Sequence, residues 1–329
     1  MGVSVTAARV PAGPAAWAQR WMRPAALASL ALNVLLVVTG GVVRLTASGL
    51  GCPTWPHCDA GSFVPQRALG IHGDIEFGNR MVTFVLAAVA VGTLVVAWGY
   101  GRRSVLWLSV VLALGVPVQA VVGGISVLTD LNPWVVALHL LVSMGMIGVA
   151  VVLVRRIGEG DTPAVPVVSS GVTWLTRAVF VAGWLVLYAG TIVTGSGPHA
   201  GAANAPRNGL DPEQVSQLHS DLVFLLVGLT AAVALVVWLG EHPAGIRRAA
   251  TALVVLEVLQ AVVGFVQYFT GLPAALVAVH LLGAALLSAV ITWLVLETRV
   301  RPPIGGESAG ASAAGRGADD REASPVAGA

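Results

Sequence analysis

Eight apolar stretches of about 20 residues divide this chain of 329, near 24–43, 80–99, 104–127, 133–154, 173–194, 217–239, 248–269 and 273–296. About 20 residues of helix cross the roughly 30 Å of hydrocarbon in a bilayer. Backbone polar groups in lipid must find partners within their own segment, so such runs are helices. With 56% of residues hydrophobic and 10% charged, the apolar surface exceeds what a soluble core of this length would bury. The expected fold class is an all-α membrane protein with eight transmembrane helices embedded in a lipid bilayer.

Positive charge sets the orientation. Arg9, Arg20 and Arg23 precede the first run, and Arg102 and Arg103, Arg155 and Arg156, Arg247 and Arg248, and Arg299 and Arg301 occupy every second connection. Arginine-rich connections stay in the cytoplasm, so both termini are expected there, in a bacterial plasma membrane. The formal net charge of +2 is accounted for by this topology and calls for no nucleic acid. The opposite connections hold few basic residues, chiefly Arg44, Arg67, Arg80 and Arg207. The opening MGVSVT fits a loose myristoylation pattern, but eight spans make a lipid anchor redundant. Residues 1–20 lack the continuous apolar core of a cleaved signal. The Gly-, Ala- and Ser-rich tail from about 302 is expected to be disordered.

Residues 119–141, QAVVGGISVLTDLNPWVVALHLL, and residues 260–282, QAVVGFVQYFTGLPAALVAVHLL, are identical at more than half of their positions without a gap. Gln119 aligns with Gln260, Gly123 with Gly264 and His139 with His280. NRMVTFVL from Asn79 likewise aligns with HSDLVFLL from His219. Spans one to four and five to eight therefore read as two parallel four-helix-bundle repeats. At 1.5 Å of rise per residue, His139 and His280 lie roughly 10 Å into their spans from the non-cytoplasmic side.

Ionisable groups inside a membrane are costly and tend to face a cavity or a cofactor. His219 and His280 suit axial ligation of one heme iron, a heme b. The first repeat offers His139 but has Asn79 in place of the second histidine, which would leave one axial position open for chemistry. Glu76 stands one helical turn before Asn79 if the helix reaches that far, where the second repeat has Ser216. A plainer reading makes Glu76 an N-terminal helix charge. Arg44 and Arg80 at the outer boundary could meet heme propionates or simply snorkel. Glu257 and Gln260 could form a buried hydrogen-bonded pair, and Trp55, Trp134 and Trp174 near span ends read as interfacial anchors.

The connection between the first two spans, residues 40–81, contains both cysteines of the chain, Cys52 and Cys58. Outside the cytoplasm their spacing permits a small disulfide loop, structural or redox-active. The pattern is not C-x-x-C-H, so covalent heme attachment is not expected. A zinc site from Cys52, His57 and Cys58 lacks an evident fourth ligand.

TASGLGCPTWPHC, IEFGNR, the paired ALHLL and AVHLL, and TGSGPHAG together resemble heme A synthase, over about residues 25–297. The resemblance implies oxidation of the C8 methyl of heme O to a formyl group by successive hydroxylations, for cytochrome oxidase assembly. It implies heme b held by His219 and His280, substrate heme O against His139, Glu76 in catalysis, and a disulfide of Cys52 and Cys58 near the substrate site. Asn79 departs from the usual histidine and is similar to the EFGNR form of actinobacterial-looking members. His72 upstream is a second candidate to approach that heme, or a solvated loop residue.

The implied organisation is a cytoplasmic segment 1–23, a substrate and catalytic repeat 24–156, a cytoplasmic linker 157–172, a heme b repeat 173–298, and a cytoplasmic tail 299–329. The implied reaction needs an electron acceptor, and its membrane-bound hydrophobic substrate makes heme O synthase a candidate physical partner, which no motif here marks. Two rival readings are a diheme b-type electron-transfer protein acting on quinone, which predicts two filled bis-histidine sites, and a membrane transporter, which predicts no heme.

Overall fold

The computed structural model describes residues 15–59 and 61–302. Eight helices run in chain order: α1 Ala16–Leu45, α2 Gly70–Tyr100, α3 Arg103–Leu128, α4 Pro133–Ile157, α5 Ser170–Ser196, α6 Pro212–Leu239, α7 Ala244–Phe269 and α8 Ala274–Leu296. Each is long and apolar enough to cross a membrane, and the chain is a multi-pass membrane protein. Phe84, Trp98, Leu114, Phe224 and Phe269 point outward, as side chains do where the solvent is hydrocarbon.

Several helices outrun the apolar stretches that mark them. The helix of the first span starts at Ala16, inside the segment read as preceding it, and runs through Pro24. The second begins at Gly70, well before the apolar run at 80, so Glu76, Asn79 and Arg80 share one helix. Starts are fixed locally: Asn132 accepts from the Trp134 amide ahead of Pro133, and Asp211 accepts from the Glu213 and Gln214 amides ahead of Pro212. Such caps satisfy amides that the helix itself leaves unpaired.

Helix α1 packs on α2 and α4, and α3 on α2 and α4; α5 packs on α6 and α8, and α7 on α6 and α8. Thus α2 lies diagonally across from α4, and α6 from α8. The two groups meet through α4 on α8, α1 on α8 and α4 on α5, a pattern unchanged when the groups are exchanged. Ser288 bonds the Met144 carbonyl across this seam at 2.8 Å. The tight turns before α4 and α8 also agree: Asp130 and Leu131, and Gly271 and Leu272, all have positive φ. The Leu131 amide closes on Ser126 O, and the Leu272 amide on Gln267 O, both at 2.7 Å. Matching turns each precede a histidine by eight residues, Leu131 before His139 and Leu272 before His280.

At the opposite, arginine-rich end, short strands β1 Val165–Pro166 and β2 Arg299–Val300 pair antiparallel. They tie the linker and the start of the tail together. The rest of the tail, from 303, and residues 1–14 lie outside the described residues. Arg102 pairs with Asp161, Arg155 with Glu159 and Glu297, and Arg156 with Glu159.

Candidate heme and substrate sites

Core packing thins out where the histidines sit. Buried hydrophobic residues on their helices begin one to two turns deeper, with Leu86 below Asn79, Leu226 below His219, and Met144 and Ala285 below His139 and His280. The three imidazoles are half-buried. Each has a buried Nδ1 with no hydrogen-bond partner. The Val186 carbonyl is near enough to His219 to interact with an N–H, though not in good hydrogen-bond geometry. A buried imidazole nitrogen without a partner in the chain calls for one from outside it, a water or a bound group.

Every ring lies over a glycine of the neighbouring helix. A Cβ on Gly123 of α3 would stand 3.3 Å from His139 Cε1, on Gly190 of α5 3.3 Å from His219 Cε1, and on Gly264 of α7 3.6 Å from His280 Cε1. At Gly123 and Gly190 even a methyl group would press on the ring, while Gly264 has room for a methyl group. The backbone behind two of them is fixed as well: Gln119 Nε2 donates to His139 O and Gln260 Nε2 to His280 O, both at 3.0 Å. In the sequence both glutamines are repeat identities, and only Gln260 suggests a partner, Glu257. Their signal was there, a glutamine placed equally far before each histidine.

His219 on α6 and His280 on α8 stand on diagonal helices of the second bundle. Diagonal helices suit two ligands on opposite faces of one planar group. The first bundle differs. Asn79 on α2 is diagonal to His139 on α4, but its Oδ1 accepts from Thr39 of α1 at 2.7 Å. The expected pair of Glu257 and Gln260 does not form. Glu257 accepts from Thr230 at 2.8 Å, while the Gln260 amide is committed to His280 O; a one-turn separation put them on one face, but better partners lay on other helices.

Over the outer end of the first bundle lies the 46–69 connection, closed by the disulfide Cys52–Cys58 with both cysteines fully buried. Glu76 fastens it. Its Oε2 accepts from the Cys52 amide at 2.7 Å and its Oε1 from Arg80 at 2.6 Å. Arg80 also donates to the carbonyls of Thr54 and His57 at 3.1 Å. Both arginines read as candidate propionate contacts are therefore engaged within the protein. Arg44 donates to the Thr194 and His199 carbonyls, stitching the outer ends of the two bundles. His72 is not a loop residue; it sits in the first turn of α2, exposed, with Nδ1 2.9 Å from Ser48 Oγ. Trp134 and Trp174 are exposed near helix ends, Trp174 with Arg177 over its ring. Trp55 behaves otherwise, its indole lying against Gly124 of α3.

A sequence profile described as "Cytochrome oxidase assembly protein" (COX15-CtaA) matches residues 23–73 and 70–213. A protein of Bacillus cereus (strain G9842) named "Heme A synthase" is 26% identical over 289 residues, covering 82% of this chain and 91% of that protein. Proteins of the same name from Bacillus anthracis (strain A0248) and Bacillus thuringiensis subsp. konkukian (strain 97-27) are each 26% identical over 283 residues, covering 80% of this chain and 89% of theirs.

Proposed function

The chain belongs to the COX15-CtaA family of cytochrome oxidase assembly proteins, and from that premise we propose that it is a heme A synthase. It oxidises the C8 methyl of heme O to the hydroxymethyl and then the geminal diol, which loses water to leave the formyl group. The observation that carries this reading is the inequality of two otherwise matching bundles. One has an imidazole on each of two diagonal helices, and the other has a single imidazole, an asparagine already bonded to Thr39, and a charged, disulfide-closed loop overhead.

In the second repeat, residues 173–298, His219 and His280 hold heme b. When bound, heme b supplies one-electron redox chemistry. The protein's part is to keep both rings in place: Gly190 and Gly264 leave them room, and Gln260 fixes the backbone of His280. The unsatisfied Nδ1 atoms and the absence of bulky packing at that height support this assignment.

In the first repeat, residues 24–156, His139 presents its imidazole to the substrate heme O, and the Asn79 side leaves room for the reacting group. Glu76 already accepts N–H bonds on both oxygens. Each oxygen keeps a further acceptor site, so Glu76 is held where it can take a proton or offer negative charge beside developing positive charge. Arg80 and the Cys52 amide hold it there. The reaction yields electrons or consumes oxygen, so a redox partner is required, and a membrane-bound substrate suits direct transfer from heme O synthase.

Arginine placement orients the chain in the plasma membrane with both termini cytoplasmic and both heme sites toward the outside. The diheme electron-transfer reading predicts equal sites, which Asn79 bonded to Thr39 argues against. Expression in a host that makes heme O but lacks heme A tests the proposal, with extracted hemes separated by chromatography.

A further inference from the structure

Two adjacent glycines of α3 have different neighbours. Gly123 lies beneath His139, whereas a Cβ on Gly124 would collide with three atoms of the Trp55 indole. In the second repeat the first glycine is retained as Gly264 beneath His280, but the second is replaced by Phe265, an exposed residue. The seat under a histidine is thus common to both bundles. The seat for an indole exists only in the bundle covered by the disulfide loop.

Trp55 is held at the tip of that loop from both sides. The disulfide closes residues 52–58, the Cys52 amide bonds Glu76, and Arg80 grips the carbonyls of Thr54 and His57 on either side of the ring. Although both cysteines are fully buried, Trp55 remains 37% exposed. Its indole rests against Gly124 of α3, next to the glycine under His139, and keeps further aromatic surface free, as an adjustable contact for a flat apolar ligand would.

We propose that Trp55 is a positioning residue for the substrate macrocycle in the first bundle. Its indole, seated on Gly124, packs against the edge of a heme held by His139 and sets where the oxidised methyl lies. This rests on the heme O reading above. It assigns the discrimination between hemes to the loop and leaves the electron-handling bundle without such a contact.

The test uses the full chain in nanodiscs, with W55A, W55F, G124A and the second-repeat control F265A. Heme O binding is followed by absorption titration and turnover by product chromatography. Loss of one aromatic contact predicts about tenfold weaker heme O binding and a similar fall in kcat/KM for W55A. G124A, which displaces the indole, falls in the same direction. W55F recovers most of the loss, F265A matches wild type, and all four retain heme b absorption with Cys52 and Cys58 protected from alkylation. Wild-type binding by W55A overturns the proposal. So does a loss accompanied by exposed cysteines or missing heme b, which would make Trp55 a folding residue. If wild type binds heme O and W55A binds it less but neither converts it, the positioning role stands and the synthase reading fails.

Discussion

Gln260 donates its amide to the backbone carbonyl of His280 from the adjacent helix at 3.0 Å, and Gln119 does the same for His139. Each histidine is therefore oriented through its main chain, leaving both ring nitrogens for other work. Removing such a cross-link costs on the order of 1 kcal/mol. Q260A should keep heme b but at lower occupancy and with a broadened low-spin spectrum, whereas H280A should lose the bis-histidine signature. Pyridine hemochrome content and electron paramagnetic resonance of the two variants distinguish these outcomes.

The glycine seats predict a size series. A Cβ on Gly190 already meets His219 Cε1 at 3.3 Å, tighter than ordinary van der Waals contact. G190A should reduce heme b content modestly, and G190L should abolish low-spin ligation while the helices still insert. Absorption spectra of purified variants, normalised to protein, check the order wild type, G190A, G190L.

Glu76 and Arg80 form a pair with side chains only 7% and 20% exposed. Breaking a buried pair by removing one partner typically costs about 3–5 kcal/mol, here concentrated on the outer loop. E76Q should keep the hydrogen bond from Cys52 while losing the charge, so the disulfide should stay protected and heme O oxidation should fall at least tenfold. R80A should lose loop protection as well. Alkylation of Cys52 and Cys58 after mild reduction, read by mass spectrometry, separates the two variants.

At the arginine-rich end Arg102 holds the Asp161 carboxyl well below the usual carboxylate range, at about 2, its hydrogen bond outweighing the effect of burial. A depressed folded-state value means stability that is present above about pH 4, the ordinary aspartate value, and lost as pH falls toward 2. Asp161 is half exposed, so its contribution is at most about 1 kcal/mol. D161N should lower the melting temperature slightly at pH 7 and converge with wild type near pH 2, measurable by scanning fluorimetry in detergent.

Much of this was readable in the chain because membranes enforce simple rules. The eight helices follow from apolar length, and the duplicated histidines and the odd Asn79 follow from alignment. The start of α2 did not, because the apolar run begins only at 80 while the helix already begins at Gly70, through residues whose polarity hides it. The roles of Gln119, Gln260 and Glu257 were hidden because their partners lie on other helices, at a distance no local pattern encodes. Trp55 looked like one more interfacial aromatic, since only packing reveals that Gly124 makes room for it.

The most direct test of the central claim is heme extraction from membranes of a host producing heme O but no heme A, carrying this chain or its E76A variant. The account predicts hydroxylated heme O or heme A with the intact chain, neither with E76A, and heme b in both purified proteins. Unconverted heme O beside a fully loaded wild-type protein, with electron acceptors and oxygen supplied, would contradict it.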